Sequence, residues 1–250
     1  MARLLVRSPP ATREAIWRAW RALDRSRRRR LERRGDFSRS SPALHDMDRG
    51  LAEHLNFRGG FFVEAGANDG YHQSNTYRLE RALGWRGVLI EPVPSLYRAA
   101  VRERPGARVF NCALVSRTYA QDDVRLIYGG MMTTVAGTRE TEAADRSWAQ
   151  AAHAMVQEAP EHDFVVRART LSSILDEVSA PEIDFLSLDV EGFETQVLEG
   201  LDLTRHAPRW ILVEVRERAD RREAVEAILG DRYEVARQLS PYDVLYRRRG

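Results

Sequence analysis

The run Phe62-Val63-Glu64-Ala65-Gly66-Ala67-Asn68-Asp69-Gly70 decides the fold. Apolar residues lead into two glycines, which reads as a strand, a tight turn and the approach to a helix. A Gly-rich turn at that place lets a ligand come close to the backbone, and the helix start favours polar or anionic groups. The spacing is Gly-x-x-x-Gly, short of the Gly-x-Gly-x-x-Gly dinucleotide fingerprint. Glu64 stands two residues before Gly66, where a carboxylate facing the cleft suits a ligand ammonium better than a pyrophosphate. A bland tight turn is the competing reading.

Working outward, strands and helices alternate. Phe61 to Ala65 is the first strand, and Ser74 caps a helix carrying Tyr77, Leu79 and Leu83. Val88 to Ile90 is a strand stopped by Glu91-Pro92, residues 95–104 a helix, and Arg108 to Cys112 a third strand. Residues 122–128 alternate like an antiparallel or edge strand, and 138–158 are Ala-rich and helical. Phe164 to Val166 is a short strand, and Thr170 caps a helix over 171–178. Ile183 to Leu188 is the fourth core strand, with a helix over 191–199. Trp210 to Val215 is the fifth, followed by a helix over 219–229 and strands at 232–236 and 242–246. Such alternation predicts an α/β fold, a mostly parallel sheet with helices on both faces. The last two strands are too close for a crossover helix, so they pair antiparallel.

The 250 residues suit one domain with an extension. Hydrophobic residues at 43% and charged residues at 30% exclude a wholly disordered chain. No apolar run approaches a membrane span, and no signal peptide follows the basic start, so the expected location is the cytoplasm. The single cysteine, Cys112, excludes an internal disulfide and thiolate-rich metal sites, and the six histidines form no zincin-type pair. Net charge is uneven: residues 1–50 hold 14 Arg against 6 acids, whereas 51–250 hold 25 against 31. Every basic residue is Arg, which we read as a mark of a GC-rich genome.

The division expected is an Arg-rich, partly helical extension over 1–50 and one domain over 51–250. After Pro9-Pro10, Thr12 is the expected N-cap and Glu14 lies in the first turn. Ile16, Trp20 and Leu23 share a helical face, with Arg18, Arg21 and Arg25 elsewhere. Arg27 to Arg30 and residues 35–42 read as linker. Residues 1–34 are either a basic amphipathic helix for a membrane surface, acidic partner or nucleic acid, or a solvated helix packing Trp17 and Trp20 on the main domain.

Several acids fall at strand ends, where ligands bind in such folds. Glu91 follows the second strand, placed to accept hydrogen bonds from a ribose diol. Asp189 and Glu191 leave the fourth strand, where acids hold a substrate hydroxyl or act as base. Glu214, inside an apolar strand, is either a site residue or half of a structural pair. His72, after the Gly-rich turn, ranks below Asp189 and Glu191.

FVEAGANDG (62–70), SNT (74–76), GWRGVLIEPVPSLY (84–97), NCALVS (111–116), YGGMMTTV (128–135), ARTLSSIL (168–175), IDFLSLDVEGFE (183–194) and WILVEVR (210–216) resemble the FkbM-type S-adenosylmethionine-dependent methyltransferases. The resemblance runs over roughly 60–247. It implies a Rossmann-like class I methyltransferase fold, a seven-stranded sheet closed by an antiparallel C-terminal hairpin. It also implies S-adenosyl-L-methionine as methyl donor and an oxygen acceptor on a sugar, glycan or small metabolite. Glu64, Gly66, Ala67, Asn68 and Gly70 would then line the methionine end, and Glu91 would hold the ribose. Asn111, Cys112 and Ala113 would lie by the adenine, and Asp189 by the transferable methyl, with Glu191 and Glu214 nearby. Asp189, Glu191 and His72 are the catalytic candidates in that order. A divalent metal is not assigned, although Asp189, Glu191 and Glu214 are the hard oxygen ligands it would take. Three rivals stand beside this reading. They are an RNA methyltransferase, which the acidic main domain disfavours; a nicotinamide oxidoreductase, which the glycine spacing and hairpin disfavour; and a cofactor-binding scaffold without turnover.

Overall fold

A computed structural model describes residues 10–156, 162–215 and 219–250. Pro9, residues 157 and 158 and Arg216 lie outside it, as do the side chains of Thr12, Glu14, Trp17, Arg18 and His153. The chain forms two compact units, Met1–Ser41 and Pro42–Gly250.

In the smaller unit, helix α1 spans Pro10–Glu32. Two expectations change here. Thr12 lies inside the helix and is not its N-cap, and the run Arg27–Arg30 is helix rather than linker. No Gly or Pro interrupts residues 11–34, and Arg is a good helix former, so the helix carries through its own charge run. Asp24 accepts from Arg28 at 3.1 Å and from Arg39 at 3.0 Å, and Ser40 Oγ donates to Glu32. Trp20 and Leu23 are 43% and 45% exposed. No helix among the described residues is long and apolar enough to cross a membrane.

The larger unit begins with α2 (Met47–Leu55), whose Met47, Leu51 and Leu55 are buried with Phe62 and Trp85. This helix, partly within the stretch assigned to the extension, thus belongs to the main core. There follow β1 (Phe61–Ala65), α3 (Tyr77–Leu83), β2 (Arg86–Ile90), α4 (Pro94–Glu103) and β3 (Ala107–Phe110). Then come β4 (Ala113–Leu114), β5 (Asp123–Ile127), β6 (Thr134–Val135), α5 (Glu142–Val156), β7 (Asp163–Arg169) and α6 (Leu171–Glu177). The chain ends with β8 (Phe185–Leu188), α7 (Glu194–Glu199), β9 (Trp210–Glu214), α8 (Ala219–Leu229), β10 (Tyr233–Gln238) and β11 (Asp243–Arg248). Thr170 is the N-cap expected, whereas Thr76 and not Ser74 holds the N-cap position of α3, and Ser74 supports that helix start from two residues further back. Ser74 Oγ accepts from the amide of Tyr77 at 3.1 Å, and Thr170 Oγ1 from that of Ser173 at 3.2 Å.

Seven strands form one sheet in the order β10-β11-β9-β8-β1-β2-β3. The five central strands are parallel, and β11 and β10 close the edge antiparallel, the Rossmann-like arrangement expected. Alternation along the strands buries both faces. Val63 and Ala65 join a core with residues of α6, α7 and α8, while Phe62 joins α2, α3 and α4. Strands β4, β7, β5 and β6 form a separate small sheet. The strand read at 164–166 is longer, Asp163–Arg169, and pairs antiparallel with β5, the alternating strand.

Sequence order reverses at β1, which has β2 on one side and β8 on the other. The carboxyl ends flanking such a switch point form the ligand crevice. Register sharpens this: Ala65 pairs with Ile90 and Leu188, Ile90 with Phe110, and Leu188 with Val213. The residues that follow, Asn111, Glu91, Gly66, Asp189 and Glu214, therefore stand in one row along the edge.

Candidate active site

The crevice opens into a cavity of about 230 Å³. Its floor is the row of strand ends, and its far wall is the small sheet and its loop, including Leu126, Gly130, Met132, Thr133 and Val135. Glu64, Gly66, Asn68, His72, Glu91, Cys112, Ala113, Asp189, Glu191 and Glu214 all line it. Ala67, Gly70 and Asn111 do not. Among the described residues five carboxylates line the cavity and no arginine does, although arginine is the chain's only basic residue besides histidine.

Gly66 has φ +85°, and a Cβ there would lie 1.8 Å from the Asp189 carbonyl oxygen. Any side chain would force β1 and β8 apart, so the glycine exists for close approach as well as for the turn. Gly70, also left-handed at φ +82°, packs against Ala100 and Arg104 and supports the turn from beneath. Ala67 is buried in the core beside Leu79 and Ala100. Asn111 Nδ2 donates to the carbonyls of Glu91 and Pro92 at 2.9 and 2.7 Å, fixing the turn after β2 instead of facing a ligand.

Glu64 departs most from expectation. It lines the cavity, yet its carboxylate is committed inward. Oε2 accepts from Ser74 Oγ (2.9 Å), Thr76 Oγ1 (2.6 Å) and Arg104 Nη1 (3.3 Å), and Oε1 from the amide of Asn75 (2.9 Å). Arg104 is fully buried; its Nε donates to Glu80 at 2.7 Å, and its remaining donors reach Gly70 O, Ser74 Oγ and Thr76 Oγ1. A buried charge needs such a partner set. Glu64 therefore organises the SNT turn.

Glu91 is buried, and its two oxygens accept from the amides of Asn68 and Val93, each at 2.8 Å. Burial nevertheless pushes its pKa up to about 8; the two amides oppose the shift and nearby Asp69 adds to it. Each oxygen keeps a lone pair, so the group fits a ribose diol. Asn68 adopts φ +50°, a conformation Asn tolerates, and its own Oδ1 accepts from the amide of Asp69.

Asp189, Glu191 and Glu214 bring carboxylate oxygens within 4.8 Å of one another. Burial, the negative charges of Glu214 and Glu191, and a hydrogen bond with Glu214 hold the Asp189 carboxyl well above the usual range. Asp189 therefore favours its protonated form, hydrogen-bonded to Glu214. Glu191 takes a left-handed φ of +56°, unusual for a residue with a side chain. Glu194 is buried beneath the same turn, accepting from the amides of Val190 and Gly192, with its pKa raised chiefly by burial. His72 sits exposed on the rim, its amide bound to Asp69. Cys112 is buried and its thiol is pushed up to about 12, so it offers surface rather than reactivity.

Sequence reasoning missed Asn75, Arg104 and Glu194. Asn75 lies in the SNT run already singled out, but nothing in that run showed which side chain faces a cavity. Arg104 is one of 39 identical charges, and no spacing distinguishes it.

This sheet order, glycine turn and acid row define a Rossmann-like class I methyltransferase fold. The family model for the methyltransferase FkbM domain matches residues 64–238, and the chain belongs to that S-adenosylmethionine-dependent methyltransferase family. Among solved structures it is similar to methyltransferase FkbM of Methylobacillus flagellatus, with 14% identity over 76% of this chain and 43% of that one, TM-score 0.46. It is also similar to a TehB-like SAM-dependent methyltransferase of Corynebacterium glutamicum (13% identity, 96% and 100% covered, TM-score 0.44). A third is a SAM-dependent methyltransferase of Aquifex aeolicus (14%, 89% and 97%, TM-score 0.41). The chain spans less than half the length of the Methylobacillus structure. No curated protein matches the sequence.

Proposed function

We propose that the protein transfers a methyl group from S-adenosylmethionine to a hydroxyl of an uncharged acceptor, a sugar, glycan or small metabolite. One observation carries this: among the described residues, five carboxylates and no arginine line the cavity at the switch point. A phosphate-bearing acceptor would find no guanidinium to pair with among the described lining residues, which disfavours RNA. Carboxylates instead accept hydrogen bonds from hydroxyl groups.

The residues fit the donor. Glu91 has acceptor capacity left for a ribose, and Gly66 and Asn68 line the cavity beside it. Bound S-adenosylmethionine supplies an electrophilic methyl group. The chain has then to align the acceptor oxygen and exclude water, a matter of proximity and orientation. Asp189 and Glu214 lie side by side and present carboxylate oxygen to an acceptor hydroxyl. That oxygen orients the acceptor and takes its proton as the new bond forms, a contribution on the order of 10²–10⁴-fold. Glu191, held at the lip of the same pair, is placed for a second acceptor hydroxyl.

Calorimetry tests the reading. S-adenosylmethionine and S-adenosylhomocysteine bind and NAD does not, and Glu91→Ala weakens S-adenosylhomocysteine about 10- to 100-fold. Binding of NAD, or unchanged affinity in Glu91→Ala, overturns it. Turnover is then sought across neutral polyols; cofactor binding with no turnover on any would favour the scaffold reading.

For α1 we propose contact with an anionic membrane surface. Trp20 and Leu23 are exposed on a helix with ten Arg and three acids between residues 10 and 34. Co-sedimentation with anionic but not neutral vesicles is the expected result, and preference for RNA over vesicles overturns it.

A further inference from the structure

The sequence suggested that the acid before Gly66 receives a ligand ammonium, but the geometry leaves that task to another residue. Glu64 spends its carboxylate on the SNT turn and Arg104. What the turn delivers to the cavity is Asn75. Its main-chain amide is pinned by Glu64, and its side-chain Nδ2 donates to Ser187 Oγ at 3.0 Å. Ser187 is the residue of β8 in register with Glu64. Asn75 is only 7% exposed and lines the cavity, yet its Oδ1 has no hydrogen-bond partner.

A buried acceptor left unsatisfied costs free energy, and native structures leave few. One that faces a ligand cavity is satisfied when a donor arrives. Asn75 Oδ1 is a neutral acceptor, and no arginine lines the cavity among the described residues, so a cationic donor meets no repulsion there. We infer that Asn75 Oδ1 accepts a hydrogen bond from the α-ammonium group of S-adenosylmethionine. Glu64 thereby acts as a positioning residue, and Asn75 makes the contact. The inference rests on the cofactor reading above.

The test compares two nucleosides by calorimetry. S-adenosylhomocysteine carries the amino-acid end, and 5′-methylthioadenosine lacks it. Asn75→Leu keeps size and removes the acceptor. Its expected effect is a loss of about 10- to 100-fold for S-adenosylhomocysteine with 5′-methylthioadenosine unchanged. Asn75→Asp keeps an acceptor, and Ser187 can turn its hydroxyl to donate, so this variant retains S-adenosylhomocysteine within a few-fold. A melting curve shows that each variant folds. Unchanged S-adenosylhomocysteine affinity in Asn75→Leu overturns the inference, as does an equal loss for both nucleosides, which would make Asn75 structural. Loss of S-adenosylhomocysteine binding in Asn75→Asp also overturns it, because the amide would then be donating to the ligand carboxylate. If the wild type binds neither nucleoside, the cofactor reading itself falls and takes this inference with it.

Discussion

Glu64 and Glu80 are buried around Arg104, whereas Asp189, half-buried, lies against the buried Glu214. Both groups sit in the main unit, and both contain acids that cost free energy to remove from water. The first group is neutralised by a guanidinium that spends its donors on two carboxylates, two hydroxyls and a carbonyl. In the second, a proton neutralises Asp189, which hydrogen-bonds to Glu214. A guanidinium cannot give up its charge, so the first group is a fixed joint tying α3, α4 and the Gly-rich turn to β1. A proton can leave or be replaced, so the second group can exchange its charge with a ligand. Burial alone does not separate a structural acid from a chemical one; the kind of counter-charge does.

The largest expected effect breaks the fixed joint. Arg104→Met leaves two carboxylates buried without a cation, a loss of about 3–5 kcal/mol. For a chain this size the melting temperature falls by roughly 10 °C. Adding Glu64→Gln and Glu80→Gln to Arg104→Met restores part of the loss, because the uncompensated charges are gone. If Arg104→Met melts normally and instead loses only cofactor binding, the comparison is wrong and Arg104 belongs to the site.

The next effect falls on the second group. Asp189→Asn keeps the shape and removes the proton's place. Methyl transfer falls by about 10²-fold or more while affinity for S-adenosylhomocysteine changes little. Stability moves the opposite way from Arg104→Met. The folded pKa of Asp189 lies above the ordinary value of 3.8, so the wild type loses stability as pH rises from about 4 through the folded pKa. Asp189→Asn is therefore relatively stabilised at pH 8, and its advantage shrinks toward pH 4. Equal losses of turnover and affinity would make Asp189 a cofactor ligand. Loss of stability at pH 8 would place it with the fixed joint.

This contrast marks how far the sequence could be read. The row Glu91, Gly66, Asp189 and Glu214 was legible because each residue follows an apolar strand, and parallel strands present their carboxyl ends together. The closing hairpin was legible from the short gap before Asp243. Glu64 was legible as a position but not as a role. It too stands at the end of an apolar strand, and only the fold brings Arg104 to it across 40 residues. Asn111 failed in the same way: its place in the row was right, but its amide turns back onto Glu91 and Pro92. Strand periodicity fixes which residues reach an edge. It carries no information about distant side chains that arrive to neutralise them. The helix over Arg27–Arg30 was missed because the charge run was weighed above helix propensity.

Glu91 supplies the smallest effect and a third way to hold a buried acid, neither by guanidinium nor by a proton against a second acid. Two backbone amides partly offset its burial, and the pKa settles at about 8. The unliganded group is thus mostly protonated at neutral pH. A ribose diol donates two hydrogen bonds and so prefers the ionised carboxylate. Binding then releases a proton, and affinity for S-adenosylhomocysteine rises as pH increases from 6.5 toward 8.5, by about 25-fold, or roughly 1.9 kcal/mol. Calorimetry in buffers of different ionisation enthalpy reads the released proton directly. Glu91→Gln cannot titrate, so its affinity is weaker and flat over this range. If the pH dependence survives in Glu91→Gln but disappears in Asp189→Asn, the linked proton belongs to the Asp189–Glu214 pair. Glu91 would then be held charged by its two amides, closer in kind to Glu64 than to Asp189.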